Sequence, residues 1–329
     1  MIDGHGDDIH NHKGIRMNFS SNIYPHAYYL QLLEEHLCAH IRSIRSYPEP
    51  SPRSLEAMIA EKHGISPDEV LVTNGATDAI YLIAQAFREK GTFTFFPPTF
   101  AEYEDACRIF NYKEVDDGFL CWLCNPNNPT GEAYPISHIE ALAAKHDLLV
   151  LDQSYEDYTL APMLSPEAVV SMDNVLQLHS MTKQYAIPGL RVGYVVGASP
   201  LIRTLRDNIR PWSVNSLAIE GAKYMLRLNP PIIHSLYTYL EQTQWLRSSL
   251  VSCAGIDSVD TQTNFFLCTI HPHTATELKD YLVREHGILI RDASNFRGLT
   301  PHHFRIAAQY PEENSALVEA IKEYTKLKN

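Results

Sequence analysis

The chain is predicted to be an α/β protein, with a mostly parallel, doubly wound sheet in a large domain and a smaller α+β domain after it. Three observations carry this. Short apolar strands alternate with helical stretches through the first two thirds of the 329 residues. Several of these strands, such as 148–151 (LLVL), are apolar without interruption, as expected of a sheet covered by helices on both faces. After Pro211 the alternation gives way to a long helical stretch and a few short strands.

Each element has its own signal. Residues 70–73 form a short apolar strand that stops at Asn74-Gly75. A helix follows over 77–90, with apolar Ala79, Ile80, Leu82, Ile83 and Phe87. The β-rich run 92–96 stops at Pro97-Pro98, because proline has no amide hydrogen for the ladder. A helix over 100–110 precedes a strand at 119–124. Residues 136–146 are helical, 148–151 form a strand, and 174–178 and 192–196 form two more. Past Pro211, residues 214–250 form a long helix broken near Pro230-Pro231. Strands at 264–269 and 287–291 flank a helix over 274–285, and a strand at 304–307 leads to a last helix from Glu312. The segment 46–54 (SYPEPSPRS) is a loop. The domains are an arm over 1–27 that packs on the small domain, a large domain over 28–213 and a small one over 214–329.

Composition narrows the function. Hydrophobic residues make up 45% and charged residues 20%, which excludes a disordered tail or a disulfide mini-scaffold. The formal charge of −12 argues against sequence-independent nucleic-acid binding, although a few converging arginines can still hold a small anion. Cys121 and Cys124 form a lone C-x-x-C on a buried strand; a zinc site needs a second pair, so inert core thiols and no metal are expected. The N-terminus lacks the apolar core of a signal peptide, and no apolar run approaches the ~20 residues needed to cross a bilayer. A soluble, reduced, cytoplasmic protein is expected.

The sharpest segment is HSMTKQYAIPGLRVGY, 179–194. Lys183 follows a strand, with Ser180 three residues before it and Arg191 eight after it. Schiff-base chemistry needs a lysine that sheds its proton, and neighbouring cations lower its pKa. A hydroxyl and a guanidinium beside it can hold a phosphate dianion. Taken alone, S-x-x-K is equally a surface lysine in a polar turn.

With Gly189 and Gly193-Tyr194 the string resembles the fold-type I pyridoxal-phosphate enzymes, in the class that includes histidinol-phosphate aminotransferases. Four further motifs in matching order extend the resemblance over almost the whole chain: LVTNGATD (71–78), Pro98-Thr99-Phe100, NPNNPTG (125–131) and LDQSY (151–155). The resemblance implies pyridoxal 5′-phosphate as cofactor, joined to Lys183. Gly75, Ala76 and Thr77 would cradle its phosphate at a helix start, with Ser180 and Arg191. Phe100 would stack on the ring, Asn128 and Tyr155 would face the phenolate oxygen, and Asp152 would keep the pyridine nitrogen protonated. Gln153 and Ser154, where the family more often has D-E-A, are read as neutral changes.

The N-terminus resembles one branch. His5-Gly6 and NFSSNI (18–23) are similar to the opening of threonine-phosphate decarboxylases, which make aminopropanol phosphate for cobalamin. Asp7 stands where that opening has a second glycine, and an acidic side chain there would repel a phosphate. Tyr47-Pro48 is similar to a segment whose tyrosine reaches the cofactor phosphate of the other subunit of a homodimer. Arg291 and Arg305 are similar to the family's two arginines. The resemblance therefore implies decarboxylation of O-phospho-L-threonine, with His5, Gly6, Asn22, Asn128, Arg291 and Arg305 around the substrate. Its alternative is a histidinol-phosphate or related amino-acid aminotransferase. Neither nucleic acid nor membrane is an expected partner.

Overall fold

Uninterrupted apolar strands need cover on both sides, and five segments of the chain are buried along their entire length. The computed structural model describes residues 6–23, 27–229 and 236–328. Its strands are β1 (Met17–Asn18), β2 (Val70–Thr73), β3 (Thr92–Phe95), β4 (Lys113–Glu114), β5 (Leu120–Cys124), β6 (Leu148–Asp152), β7 (Val175–His179), β8 (Gly193–Gly197), β9 (Ile256–Ser258), β10 (Phe265–Ile270), β11 (Ile288–Leu289), β12 (Arg291–Asp292) and β13 (His303–Ala307). Its helices are α1 (Ala27–Ala39), α2 (Arg53–His63), α3 (Ala76–Ala86), α4 (Glu102–Ile109), α5 (Ile136–Lys145), α6 (Pro166–Val170), α7 (Met181–Gln184), α8 (Ser199–Arg206), α9 (Ser216–Leu228), α10 (Leu236–Val251), α11 (Ala275–Tyr281) and α12 (Pro311–Lys328).

The large sheet runs β2-β8-β7-β6-β5-β3-β4. All neighbours are parallel except at β8, which is antiparallel to both β2 and β7. Successive side chains alternate between two cores. Cys121, Leu123, Leu149 and Leu151 meet α2, α5 and α9 on one face. Leu120, Trp122, Leu148 and Val150 meet α3 and α4 on the other. Because Cys121 and Cys124 are three apart on a strand, their thiols belong to opposite cores. Burial pushes the Cys121 thiol up to about 12, as expected of an inert core thiol.

A second, antiparallel sheet, β12-β13-β10-β9, packs Phe266, Phe304 and Ile306 beneath α10, α11 and α12. The arm joins this layer: β1 pairs in parallel with β11, and Phe19 is fully buried in the same core. Beyond the expected boundary at 213, Val214 and the α9 residues Ala218, Ile219, Ala222 and Met225 still pack into the core of the large sheet.

Several expectations need correction. The strand expected at 287–291 is two strands, because Ile288–Leu289 pairs with the arm while Arg291–Asp292 pairs with β13. The helix expected over 274–285 ends at Tyr281 and widens into a π-type turn closed by Gly287 at φ 62°. Arg53 and Ser54 of the expected loop already belong to α2. The break expected near Pro230-Pro231 lies outside the described residues, as does His5.

Candidate active site

Open parallel sheets bind ligands beyond the carboxyl ends of their strands. Here the ends of β2, β5, β6 and β7 face a cavity of about 240 Å³, closed from the opposite side by β12, β13 and the arm. The reversed direction of β8 brings its leading end to the same edge, and that end carries Arg191.

Lys183 sits half-buried in α7, one short turn past β7, with its carbonyl held by the Tyr158 hydroxyl at 2.8 Å. Burial, then Arg305 and Arg191, pull its ammonium pKa down to about 8, against an opposing pull from Asp7. Asp152 ends β6 and is buried. Its Oδ2 accepts from the Tyr103 hydroxyl at 2.7 Å, and its Oδ1 from the Ser154 amide and hydroxyl at 2.9 and 2.5 Å. Ser154 is thus not a neutral change: its amide closes an Asx turn on the carboxylate, as any residue there could, and its hydroxyl adds a second bond to the same oxygen.

Gly75 leads into α3 at φ 85°. A Cβ there would come within 2.6 Å of Arg191 Nη2, so the missing side chain makes room for the guanidinium beside the free amides of Ala76 and Thr77. Ser180 lines the same corner and caps no helix with its side chain. Phe100 lines the cavity and meets Tyr103 edge-on at 5.7 Å. Tyr155 lies against Phe265 at 4.9 Å, and burial raises its phenol to about 12.

On the far wall Arg291 and Arg305 are direct register partners across β12 and β13. Arg305 donates to Asn128 Oδ1 at 2.5 Å and to the Ser20 carbonyl at 2.6 Å, both neutral acceptors, and its Nε has no partner. Arg291 donates to Asn295 at 2.7 Å and lies 5.3 Å over the Phe296 ring. Burial pulls both guanidiniums down to about 10, so both stay cationic at neutral pH. A Cβ on Gly6 would stand 3.3 Å from each arginine, so the arm's backbone rests on the pair. Asn22 is buried on the cavity with neither amide atom hydrogen-bonded. Asp7 adopts φ 62°, which suits the glycine expected there, and its carboxylate accepts from Asn18 at 2.6 Å.

Tyr47 is not part of this cavity; it is 84% exposed and lies 5.4 Å from the Trp212 ring. Tyr103, Thr182, Asn295 and Phe296 line the cavity without having been singled out in the sequence, and Ser154, read there as a neutral change, lines it too. The one usable signal was the spacing of Phe100 and Tyr103, two aromatics three residues apart where α4 begins.

The family Aminotransferase class I and II matches residues 15–117 and 111–321. The chain belongs to this aminotransferase family. Pyridoxal 5′-phosphate is the cofactor of such aminotransferase-family enzymes, and this is a pyridoxal-phosphate-dependent enzyme. The cavity fits that group: it offers a lysine with a lowered pKa, an arginine cradle emptied of a Cβ, and an unpartnered buried amide. The crystal structure of an L-threonine-O-3-phosphate decarboxylase from Porphyromonas gingivalis has 36% identity and a TM-score of 0.90, covering 94% of this chain and 100% of that one. A protein of Caldanaerobacter subterraneus subsp. tengcongensis named for threonine-phosphate decarboxylation is 30% identical over 309 residues, 84% of this chain and 82% of that one. A histidinol-phosphate aminotransferase of Thermoanaerobacter sp. is 29% identical over 307 residues, 85% and 84% of the two chains. Among the described residues no helix is long and apolar enough to cross a membrane.

Proposed function

We propose that this aminotransferase-family enzyme decarboxylates O-phospho-L-threonine to aminopropanol phosphate, a reaction of cobalamin synthesis. The observation that carries the reading is the Arg291–Arg305 pair. Like charges directly opposite each other in a sheet destabilise it, and these two are buried and in register on the cavity wall. A substrate with two anionic ends offsets that repulsion.

The chain's residues divide the work. Ala76, Thr77, Ser180 and Arg191, with the turn at Gly75, hold the cofactor phosphate. Phe100 covers a ring face. The Asn128 amide, its Oδ1 already held by Arg305, has its Nδ2 hydrogens left to donate, and with the Tyr155 hydroxyl would hold the phenolate oxygen. Asp152, fixed by Tyr103 and Ser154, holds the proton on the pyridine nitrogen. When bound, the cofactor supplies an electron sink for the electron pair left at the substrate Cα. Arg291, Arg305, Asn22 and the arm at His5-Gly6 orient the carboxylate and the phosphate, and Lys183 Nζ delivers a proton to Cα.

The enzyme is proposed to act as a homodimer in which Tyr47 reaches the neighbouring subunit's cofactor phosphate. Exposed Tyr47, Trp212, Ile41 and Ile44 support that reading. The histidinol-phosphate aminotransferase relative supports a second reading, in which Lys183 removes a Cα proton and no carbon dioxide leaves.

The test is incubation of the holoenzyme with phosphothreonine and, separately, with histidinol phosphate plus 2-oxoglutarate, following carbon dioxide and glutamate. Carbon dioxide from phosphothreonine is expected, with unphosphorylated threonine a poor substrate. Arg291→Ala and Arg305→Ala should each lower kcat/KM about 10- to 150-fold, since a charged hydrogen bond contributes roughly 1.5–3 kcal/mol. Glutamate from histidinol phosphate without carbon dioxide from phosphothreonine establishes the second reading instead.

A further inference from the structure

We propose that His36, His40 and Glu220 form a binding site for a divalent transition-metal ion of the zinc type, clamping α1 to α9 away from the catalytic cavity. One ligand atom from each lies within 4.8 Å of the other two, a grouping of this kind that stands alone among the described residues. Donors 2.0–2.2 Å from a tetrahedral ion stand about 3.3–3.6 Å apart, so closure asks for side-chain shifts of up to about 1.5 Å.

The geometry prepares the ligands. His40 Nδ1 lies 2.8 Å from the His36 carbonyl, an acceptor, so the nitrogen carries the hydrogen and the Nε2 lone pair is left for a metal. A backbone carbonyl on the second ring nitrogen is the usual way of fixing a ligating histidine. The His36 Nε2 is buried without any partner. The His36 ring is held on Tyr224 at 4.2 Å and also stacks on His40 at 4.1 Å, so binding an ion asks the exposed His40 ring to turn out of that stack until the two in-plane lone pairs converge. Glu220 stands one turn before Tyr224 on α9 and so shares its face.

The donor set chooses the metal. Two imidazoles and one carboxylate suit zinc, cobalt or nickel, whereas magnesium and calcium want oxygen ligands alone and copper(I) wants sulfur. Cys38 lies between the two histidines in sequence, but two residues along a helix it faces another side, and it is exposed. The three ligands join an early helix to α9, whose Gly221 packs against Leu33, Leu37 and Leu190. A bound ion therefore braces the packing next to Arg191.

The test uses the full-length, tag-free holoenzyme, freed of metal by a chelator and titrated with zinc chloride by calorimetry and by thermal unfolding. One zinc per chain is expected, with a rise in Tm that follows zinc concentration. His40→Ala and Glu220→Gln should each weaken this binding at least tenfold and remove the rise, while the cofactor absorbance shows that both remain folded. Cys38→Ser should bind zinc normally, and magnesium should not compete. The proposal is overturned if zinc binds with unchanged affinity in both His40→Ala and Glu220→Gln, if binding is lost in Cys38→Ser, or if the wild-type chain takes up no zinc.

Discussion

In the role proposed for it Lys183 works only as a free amine, and its surroundings decide when it is one. A lysine in water holds its proton to pH 10.4 or so, whereas burial and two arginines bring this one to about 8. A lowered pKa in a base populates the neutral form at lower pH. Capture of pyridoxal phosphate by the apoenzyme should therefore accelerate as pH rises through about 8 and level off above it, followed in a stopped-flow spectrometer. Asp7 pulls the other way, so Asp7→Asn should move the midpoint down and Arg305→Ala should move it up. Asp152→Asn should keep fold and cofactor while turnover falls roughly 100-fold or more, since an amide cannot hold the charge at the pyridine nitrogen; near-normal turnover would show that Asp152 only caps a strand. These groups were legible because each sits in a contiguous string with its own chemistry. Tyr103 was not, because it acts on Asp152 from far along the chain, a tertiary placement that no local spacing records. Ser154 stands only two residues from Asp152, but a small polar residue after a strand carries no signal of its own. Asp7 reads in sequence as a charge beside a phosphate, yet in the fold its carboxylate is occupied by Asn18.

The turn from β2 into α3 depends on one missing side chain. Gly75→Ala places a Cβ against Arg191 and forces a backbone conformation that only glycine adopts readily, at φ 85° and ψ 167°. The variant should lose about 1–3 kcal/mol of stability and bind pyridoxal phosphate at least tenfold more weakly, measured by urea unfolding and by cofactor titration. Wild-type affinity would separate this turn from the cofactor phosphate. The central strands were readable to within a residue or two because burial on two faces leaves an unbroken apolar run. Other elements left less trace. β1 and β4 have two residues each, too few for any periodicity. Nothing in Gly193–Gly197 tells that the strand runs backwards, because an interior strand is apolar whichever way it points. Ile288 to Ile290 are all buried, so one apolar run conceals a change from the arm to β13.

At the scale of the whole molecule, Tyr47 and Trp212 present aromatic surface to solvent and do not line the cavity around Lys183. Light scattering should give twice the chain mass, and Tyr47→Ala should weaken cofactor binding without changing the chain's own fold; a fully active monomer would remove the partner tyrosine from the site. The passage from the large sheet to the second, antiparallel sheet was visible as a change of texture, but the far wall of the cavity was not, since it is made of segments far apart in the sequence. The arm illustrates what that means for assembly. Residue 17 lies beside 288, the Phe19 carbonyl accepts from the Ala307 amide at 3.0 Å, and the Ser20 carbonyl from Arg305. During synthesis the arm emerges about 270 residues before the strand that receives it. Until then Phe19 has no core to enter, and the long loop between the partners makes their meeting slow. A nascent chain halted before residue 288 is expected to hold Lys183 and Asp152 on a finished sheet while the cavity still lacks the wall that Arg291 and Arg305 form.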